Sequence, residues 1–285
     1  MKKLFSLAIA LLLLGSMNSC HKDDAGKKTK KIETVTFVYG SYLQWYWEND
    51  CVDRIEYNNS YSSSPLEQCD YIYDSQGHFL TADFTSDGFR FEYKYSNGNI
   101  SQIDLYEDDE YIGKYLFNYY SNKLSNVKII AVDTKKALPF PKPFDKVLKN
   151  QKDDFVAYDI RYKWEGDNVK KIEMKGFYNP DELEFLATIN FDYDQGNNPF
   201  YNNWGFPLTD DGLIRGLYIP FDGMPFSKNN CTKMTVESTD FDYEETTSEI
   251  CDMEYSYDED HYPTMLAVFI DNELEDVLRF NYLGK

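Results

Sequence analysis

Histidine is the scarcest chemically useful residue in this chain: His21, His78 and His261 are all there are. His21 lies near the N-terminus, and the other two fall in predicted turns with no motif-like nucleophile beside them. No G-x-S-x-G, H-E-x-x-H or P-loop pattern occurs, so no catalytic residue is assigned. Basic residues are also in short supply, 29 against 49 acidic, for a formal net charge of −20. A field of that sign repels nucleic acid, which is set aside as a partner. Helix signals are sparse, confined to short stretches near Asp145–Asn150 and Pro180–Leu183. Beyond Leu4–Leu14 there is no long apolar run, and that one falls short of the ~20 residues a membrane-spanning helix requires.

Acid pairs are so numerous that a glycosidase-like pair of carboxylates cannot be selected by counting. Asp104–Glu110 ("DLYEDDE") and Asp240–Glu245 ("DFDYEE") offer oxygen ligands but lack the Asp-x-Asp-x-Asn/Asp-Gly loop that wraps calcium. They read as solvated strand faces that discourage edge-to-edge pairing. No metal and no cofactor is assigned.

What the N-terminus does carry is an export signal. Lys2 and Lys3 precede the apolar run, and Gly15, Ser16 and Ser19 are small. Met17-Asn18-Ser19-Cys20 is similar to a bacterial lipobox, with Met17 in place of the usual leucine and Asn18 larger than usual. This predicts lipidation at Cys20 and a membrane partner through that anchor. Lys22, Asp23 and Asp24 resemble the surface-export signal of Bacteroidota lipoproteins; the simpler reading is a charged tether. The expected organisation is a signal peptide over 1–19, a flexible tether over 20–33 and one domain over 34–285. Removal of 1–19 takes away two lysines and no acids, leaving a net charge near −22.

Four cysteines follow the anchor. An even number in an exported chain suggests disulfides, and separations of 18 and 20 residues favour Cys51–Cys69 and Cys231–Cys251. Four buried thiols is the other reading.

Tyrosine is the abundant residue, 25 of them beside 20 phenylalanines. That supply of large rings can bury a core despite a mean hydropathy of −0.60. Many rings occur in a repeat. "CDYIYDSQGHFLTAD", "FEYKYSNGNISQID", "LFNYYSNKLSNVKI", "DIRYKWEGDNVKKIEM", "INFDYDQGNNPF" and "MEYSYDEDHYPTMLAV" each alternate apolar and polar residues around a turn-forming group. Period-two alternation on both sides of a Gly/Asn/Asp turn is a β-hairpin. Tyr73, Tyr95 and Tyr119 recur at 22 and 24 residues, an internal period. The prediction is all-β: an antiparallel meander of hairpins, forming a curled sheet or partly open barrel.

Two insertions interrupt the rhythm. Lys135–Asp154 is proline-rich and basic; Asn197–Lys233 is rich in Gly, Pro and aromatics. Function tends to sit in such departures from a scaffold. Trp204 and Tyr218 in the second, and Trp45 and Trp47 on an early strand, are the candidates for stacking a sugar or other planar ligand. The alternative is packing, with Phe200, Trp204, Phe206, Phe221 and Phe226 plugging an end of the sheet.

The tyrosine–aspartate turns Tyr73-Asp74-Ser75-Gln76-Gly77, Tyr193-Asp194-Gln195-Gly196 and Tyr257-Asp258 are similar to the YD repeats of bacterial cell-wall and Rhs-type proteins. Together with the lipobox-like start, "YDQGNNPFYN" (193–202) and "YDEDHYPTML" (257–266) more closely resemble a Bacteroidota lipoprotein family of unknown function. That resemblance covers about residues 50–285 and implies a porin-like antiparallel fold and no activity. Three functions fit: an anchored, surface-exposed module binding a glycan, peptide or protein; a carboxylate-dependent carbohydrate-active enzyme; or a YD-repeat-like structural element of an envelope assembly. The first is the expectation.

Overall fold

A computed structural model describes residues 30–38, 40–49, 51–58, 67–84, 88–131, 155–179, 182–201, 227–241 and 245–284. Sixteen strands among them follow in chain order: β1 (Ile32–Thr36), β2 (Tyr42–Glu48), β3 (Cys51–Asn58), β4 (Glu67–Tyr73), β5 (Phe79–Phe84), β6 (Phe89–Ser96), β7 (Asn99–Glu107), β8 (Glu110–Tyr120), β9 (Lys123–Ala131), β10 (Phe155–Glu165), β11 (Asn168–Asn179), β12 (Glu182–Asn197), β13 (Asn229–Asp240), β14 (Glu245–Tyr257), β15 (Pro263–Ile270) and β16 (Glu273–Tyr282). Each pairs antiparallel with its neighbours in sequence. The meander then closes, because β1 also pairs with β16, Val35 facing Phe280. The all-β meander is as predicted. The open or merely curled form is not: the short first strand satisfies both free edges, which closure alone removes entirely.

Alternation decides which face is buried. Along β8, Tyr115 and Phe117 are buried while Asn118 and Tyr120 are exposed, and Trp45, Phe79, Phe84, Phe91 and Phe191 are likewise enclosed. The inward face is therefore aromatic and aliphatic. The outward face is charged and cross-linked by ion pairs. Glu173 accepts from Lys163 and Lys171, each at 2.9 Å; Lys94 meets Asp104 at 2.5 Å and Lys170 meets Asp192 at 2.6 Å. The two lysines hold the Glu173 carboxyl down at about 2.

The turns separate into two rims. One rim carries the β2–β3, β4–β5, β6–β7, β8–β9, β10–β11, β12–β13 and β14–β15 connections and is called the aromatic rim below; the other connections lie opposite. Asn97 and Gly98, like Ser121 and Asn122, have positive φ at both central positions of a two-residue turn. That geometry matches strand twist and favours Asn and Gly.

Neither expected disulfide forms: Cys69, Cys231 and Cys251 are buried thiols outside any disulfide. Register is the reason. Cys69 faces Ile55, four residues from Cys51, and Cys251 faces Met234, three residues from Cys231. At ~3.3 Å per residue these pairs are offset by ~10–13 Å along the strands, and a disulfide needs Cα atoms within ~7 Å. Burial pushes the Cys69 thiol pKa well up, which favours the uncharged form.

Candidate functional site

At the aromatic rim each hairpin repeats one device. The register slips just before Trp47, Tyr73, Tyr95, Tyr119, Trp164, Tyr193 and Tyr257, leaving an extra residue on the partner strand. Such bulges re-aim the neighbouring side chain. Where the extra residue is Ser101, Ser125 or Thr264, its hydroxyl donates across the hairpin to the carbonyl of Lys94, Asn118 or Ser256, at 2.9–3.2 Å.

Four of the rings so placed, and Tyr282 with them, reach sideways. Trp47 Nε1 donates to the Ile32 carbonyl at 2.7 Å, Tyr73 Oη to Val52 at 2.5 Å, and Trp164 Nε1 to Leu124 at 2.7 Å. Tyr193 Oη donates to Val169 at 2.6 Å and Tyr282 Oη to Pro263 at 2.7 Å. In every case the accepting residue stands opposite the aromatic of the preceding hairpin: Ile32 opposite Tyr282, Val52 opposite Trp47, Leu124 opposite Tyr119, Val169 opposite Trp164, Pro263 opposite Tyr257. The result is a belt of aromatic-to-carbonyl hydrogen bonds that also crosses the β1–β16 seam. It requires a ring with a polar tip, which explains why tyrosine and tryptophan occupy this position. Burial raises the pKa of Tyr73, Tyr193 and Tyr282, so these hydroxyls remain donors.

The aspartate of the tyrosine–aspartate pair builds the turn. Asp74 Oδ1 accepts from the amides of Gln76 and His78 at 2.8 and 2.9 Å, and Asp258 Oδ1 accepts from Asp260 and Tyr262 at 3.0 Å each. His78 Nδ1 lies 3.0 Å from Asp74 Oδ2, and the His78 amide leads the contacts that lower the Asp74 pKa. His261 occupies the left-handed position of its turn, at φ 63°. Both histidines thus serve turns.

The second insertion leaves this rim. Its two feet, Asn197–Tyr201 and Ser227–Asn230, are held by polar contacts that sequence reasoning missed. Asn198 Nδ2 donates to the Ser227 carbonyl at 2.7 Å, and Asn168 pairs with Asn229 at 3.1 Å. Asn197 Nδ2 donates to the Asp260 carbonyl at 2.7 Å. Val169, Ser227 and Tyr193 form a closed cycle: the Val169 amide donates to Ser227 Oγ, Ser227 to Tyr193 Oη, and Tyr193 back to the Val169 carbonyl. The available signal was the density of asparagines in "NNPFYNN" and "KNNC". Phe200, 2% exposed, packs edge-on against Phe280 with ring centroids 6.1 Å apart, so the insertion contributes to the barrel filling at its first foot.

The structure separates the predicted stacking residues. Trp45 is 2% exposed and belongs to the core, a correction to its reading as a ligand platform. Its ring faces inward because it sits on the buried phase of β2. Trp47 is a member of the belt, with Lys31 Nζ 5.2 Å from its ring centroid. Trp204 and Tyr218 lie outside the described residues, as do Cys20, Lys22, Asp23 and Asp24. Of the acidic stretches, Asp104 is covered by Lys94 and Gln102, while Asp108 and Asp109 form a two-residue turn with positive φ. Among the described residues no group of three metal-ligating side chains converges. Thr232, Asp252, Met253, Glu254, Phe269 and Asn272 line an open groove of about 450 Å³. Its Asp252 is engaged by Lys233 at 3.4 Å.

No family model matches the chain, and neither does any curated protein. Among solved structures it is similar to a porin-like protein from Bacteroides uniformis, at a TM-score of 0.50 and 10% identity over 90% of this chain and 99% of that one. The likeness is one of fold. Slighter matches are to the Photorhabdus luminescens Tc holotoxin pore (TM-score 0.32, 10% identity, 86% of this chain, 11% of that chain) and to TcdB2-TccC3 (0.31, 11%, 85% and 14%). They are too slight to support an argument.

Proposed function

We propose that this chain is a lipid-anchored envelope protein displayed at the cell surface, whose barrel is a non-catalytic binding or scaffold module for a glycan, peptide or protein. The observation that carries this reading is the polarity of the barrel. A membrane-embedded porin turns an apolar band outward and a polar lining inward. Here the rings face inward, and the outward face carries Lys163–Glu173–Lys171, Lys94–Asp104 and Lys170–Asp192. Such a barrel keeps a porin's outline and is suited to water, so its attachment falls to Cys20 and its display to Lys22, Asp23 and Asp24. Irregular segments leaving a rigid, closed scaffold are where a partner would be met.

Metabolic acyl labelling tests the anchor: wild type takes up label and Cys20→Ala does not. Proteinase shaving of intact cells tests display. Wild type is digested, Asp23→Ala/Asp24→Ala is protected, and a protected wild type overturns the surface reading. A glycan array and pull-downs with the purified barrel then address the partner.

A further inference from the structure

Lys30, the first described residue, has a fixed position on the barrel. Lys30 Nζ meets Asp258 Oδ2 at 2.8 Å, also contacts Asp260, and lies 5.4 Å from the ring centroid of Tyr262. Burial works to lower the Lys30 pKa, but the hydrogen bonds to Asp258 and Asp260 outweigh it and raise the value. Lys31 lies over Trp47, and its carbonyl accepts from the Leu283 amide at 3.0 Å. All these partners belong to the aromatic rim. Lys30 and Lys31 are therefore held at the rim of the aspartate turns.

Nine residues lie between Cys20 and Lys30, ten Cα-to-Cα steps. Fully extended they reach ~35 Å; as a flexible tether they average ~17 Å. A strand such as β8, eleven residues long, measures ~36 Å, and a barrel tilt of ~40° gives a height of ~28 Å. Turning the opposite rim toward the lipid would consume nearly the whole contour of the tether. We infer that the aromatic rim faces the lipid surface and that the opposite rim, where the Glu107–Glu110 and Ile270–Glu273 turns lie, is presented outward. The 132–154 segment joins β9 to β10 at that outward rim, whereas the 202–226 segment leaves the membrane-facing one. Large partners would then meet the opposite rim first. This inference rests on the proposed anchor at Cys20.

Energy transfer to a dye-labelled lipid tests it. A fluorescent amino acid is placed at Gln76, exposed on the aromatic rim, or at Glu273, exposed on the other. The full-length acylated protein is reconstituted on phosphatidylethanolamine/phosphatidylglycerol vesicles. Transfer from position 76 should exceed that from 273 by roughly twofold or more, for labels ~28 Å apart along the barrel. Equal or reversed transfer overturns the orientation. In a second arm, residues 21–285 with an N-terminal histidine tag bind nickel-chelating vesicles. If Cys20 takes no acyl label but this arm still favours position 76, the anchor fails and the geometry of the tether stands. If Cys20 is acylated and neither arm favours position 76, the orientation fails and the anchor stands. Lys30→Ala with Asp258→Asn should narrow the difference by loosening the exit point.

Discussion

Trp47 Nε1 donates to the Ile32 carbonyl at 2.7 Å, and Ile32 stands opposite Tyr282 across the seam where β1 meets β16. A side chain from the second strand thereby carries the belt over the junction that turns a meander into a barrel. Trp47→Phe keeps the ring and removes the donor, leaving a carbonyl near the core unmatched. The expected loss is ~1 kcal/mol, with Tyr73→Phe similar, read as a lowered urea midpoint at unchanged slope. A midpoint indistinguishable from wild type in both variants would mean that the belt follows the fold and does not support it.

The rim tyrosines set an alkaline limit. Burial raises the pKa of Tyr73, Tyr193 and Tyr282 in the folded chain, whereas unfolded tyrosine ionises near 10. Above that pH the unfolded state releases protons that the folded state retains, so stability falls as pH rises past ~10. Absorbance at the tyrosinate band reads this directly. The buried group should ionise only together with loss of the fold. Smooth titration of all tyrosines with the far-UV signal intact would contradict the enclosed hydroxyls.

Glu173 sets a smaller acid effect. Its carboxyl is held at about 2 by hydrogen bonds from Lys163 and Lys171. A depressed folded pKa gives stability that is present above the unfolded value of ~4.3 and is lost as pH falls toward 2. With the side chain 36% exposed, solvent screening limits the contribution to ~0.2–1 kcal/mol. Glu173→Gln should therefore lower stability slightly at pH 7 and converge with wild type near pH 2. A difference that persists there would assign the effect to packing.

Thiol chemistry checks the strand register. Cys69, Cys231 and Cys251 are buried thiols outside any disulfide, so an aromatic disulfide reagent should modify them only after denaturation. Peptide mapping without reductant should find no Cys231–Cys251 link. Finding one would require β13 and β14 to slide by three residues relative to Met234↔Cys251.

Gly196 offers a steric test of the rim. A Cβ there would sit 2.6 Å from Tyr257 Cε1 and 2.7 Å from Asn230 Nδ2, both within the collar that holds the second insertion. The Tyr257 hydroxyl donates to Asp194; Gly196→Ala should displace it and cost ~1–3 kcal/mol, measurable by thermal or urea unfolding. Wild-type stability would show that the collar relaxes freely.

The sequence by itself determined the unit and the face. Alternation in "CDYIYDSQGHFLTAD" placed Cys69 and Tyr71 on one side, and the Asp74–Gly77 group placed the turn, because both are local properties of a pleated chain; Phe79 and Ala82, three residues apart, share that side only through the bulge at Leu80. The period linking Tyr73, Tyr95 and Tyr119 was likewise readable. Its continuation through Trp47 and Trp164 was not, since tryptophan does the same work there with a different donor. Tertiary structure alone decided which cysteines meet, where Lys30 rests and whether the edges close. Those outcomes depend on register between strands, which each bulge shifts by one residue, and on pairing β1 with β16 across a sequence separation that no local pattern spans.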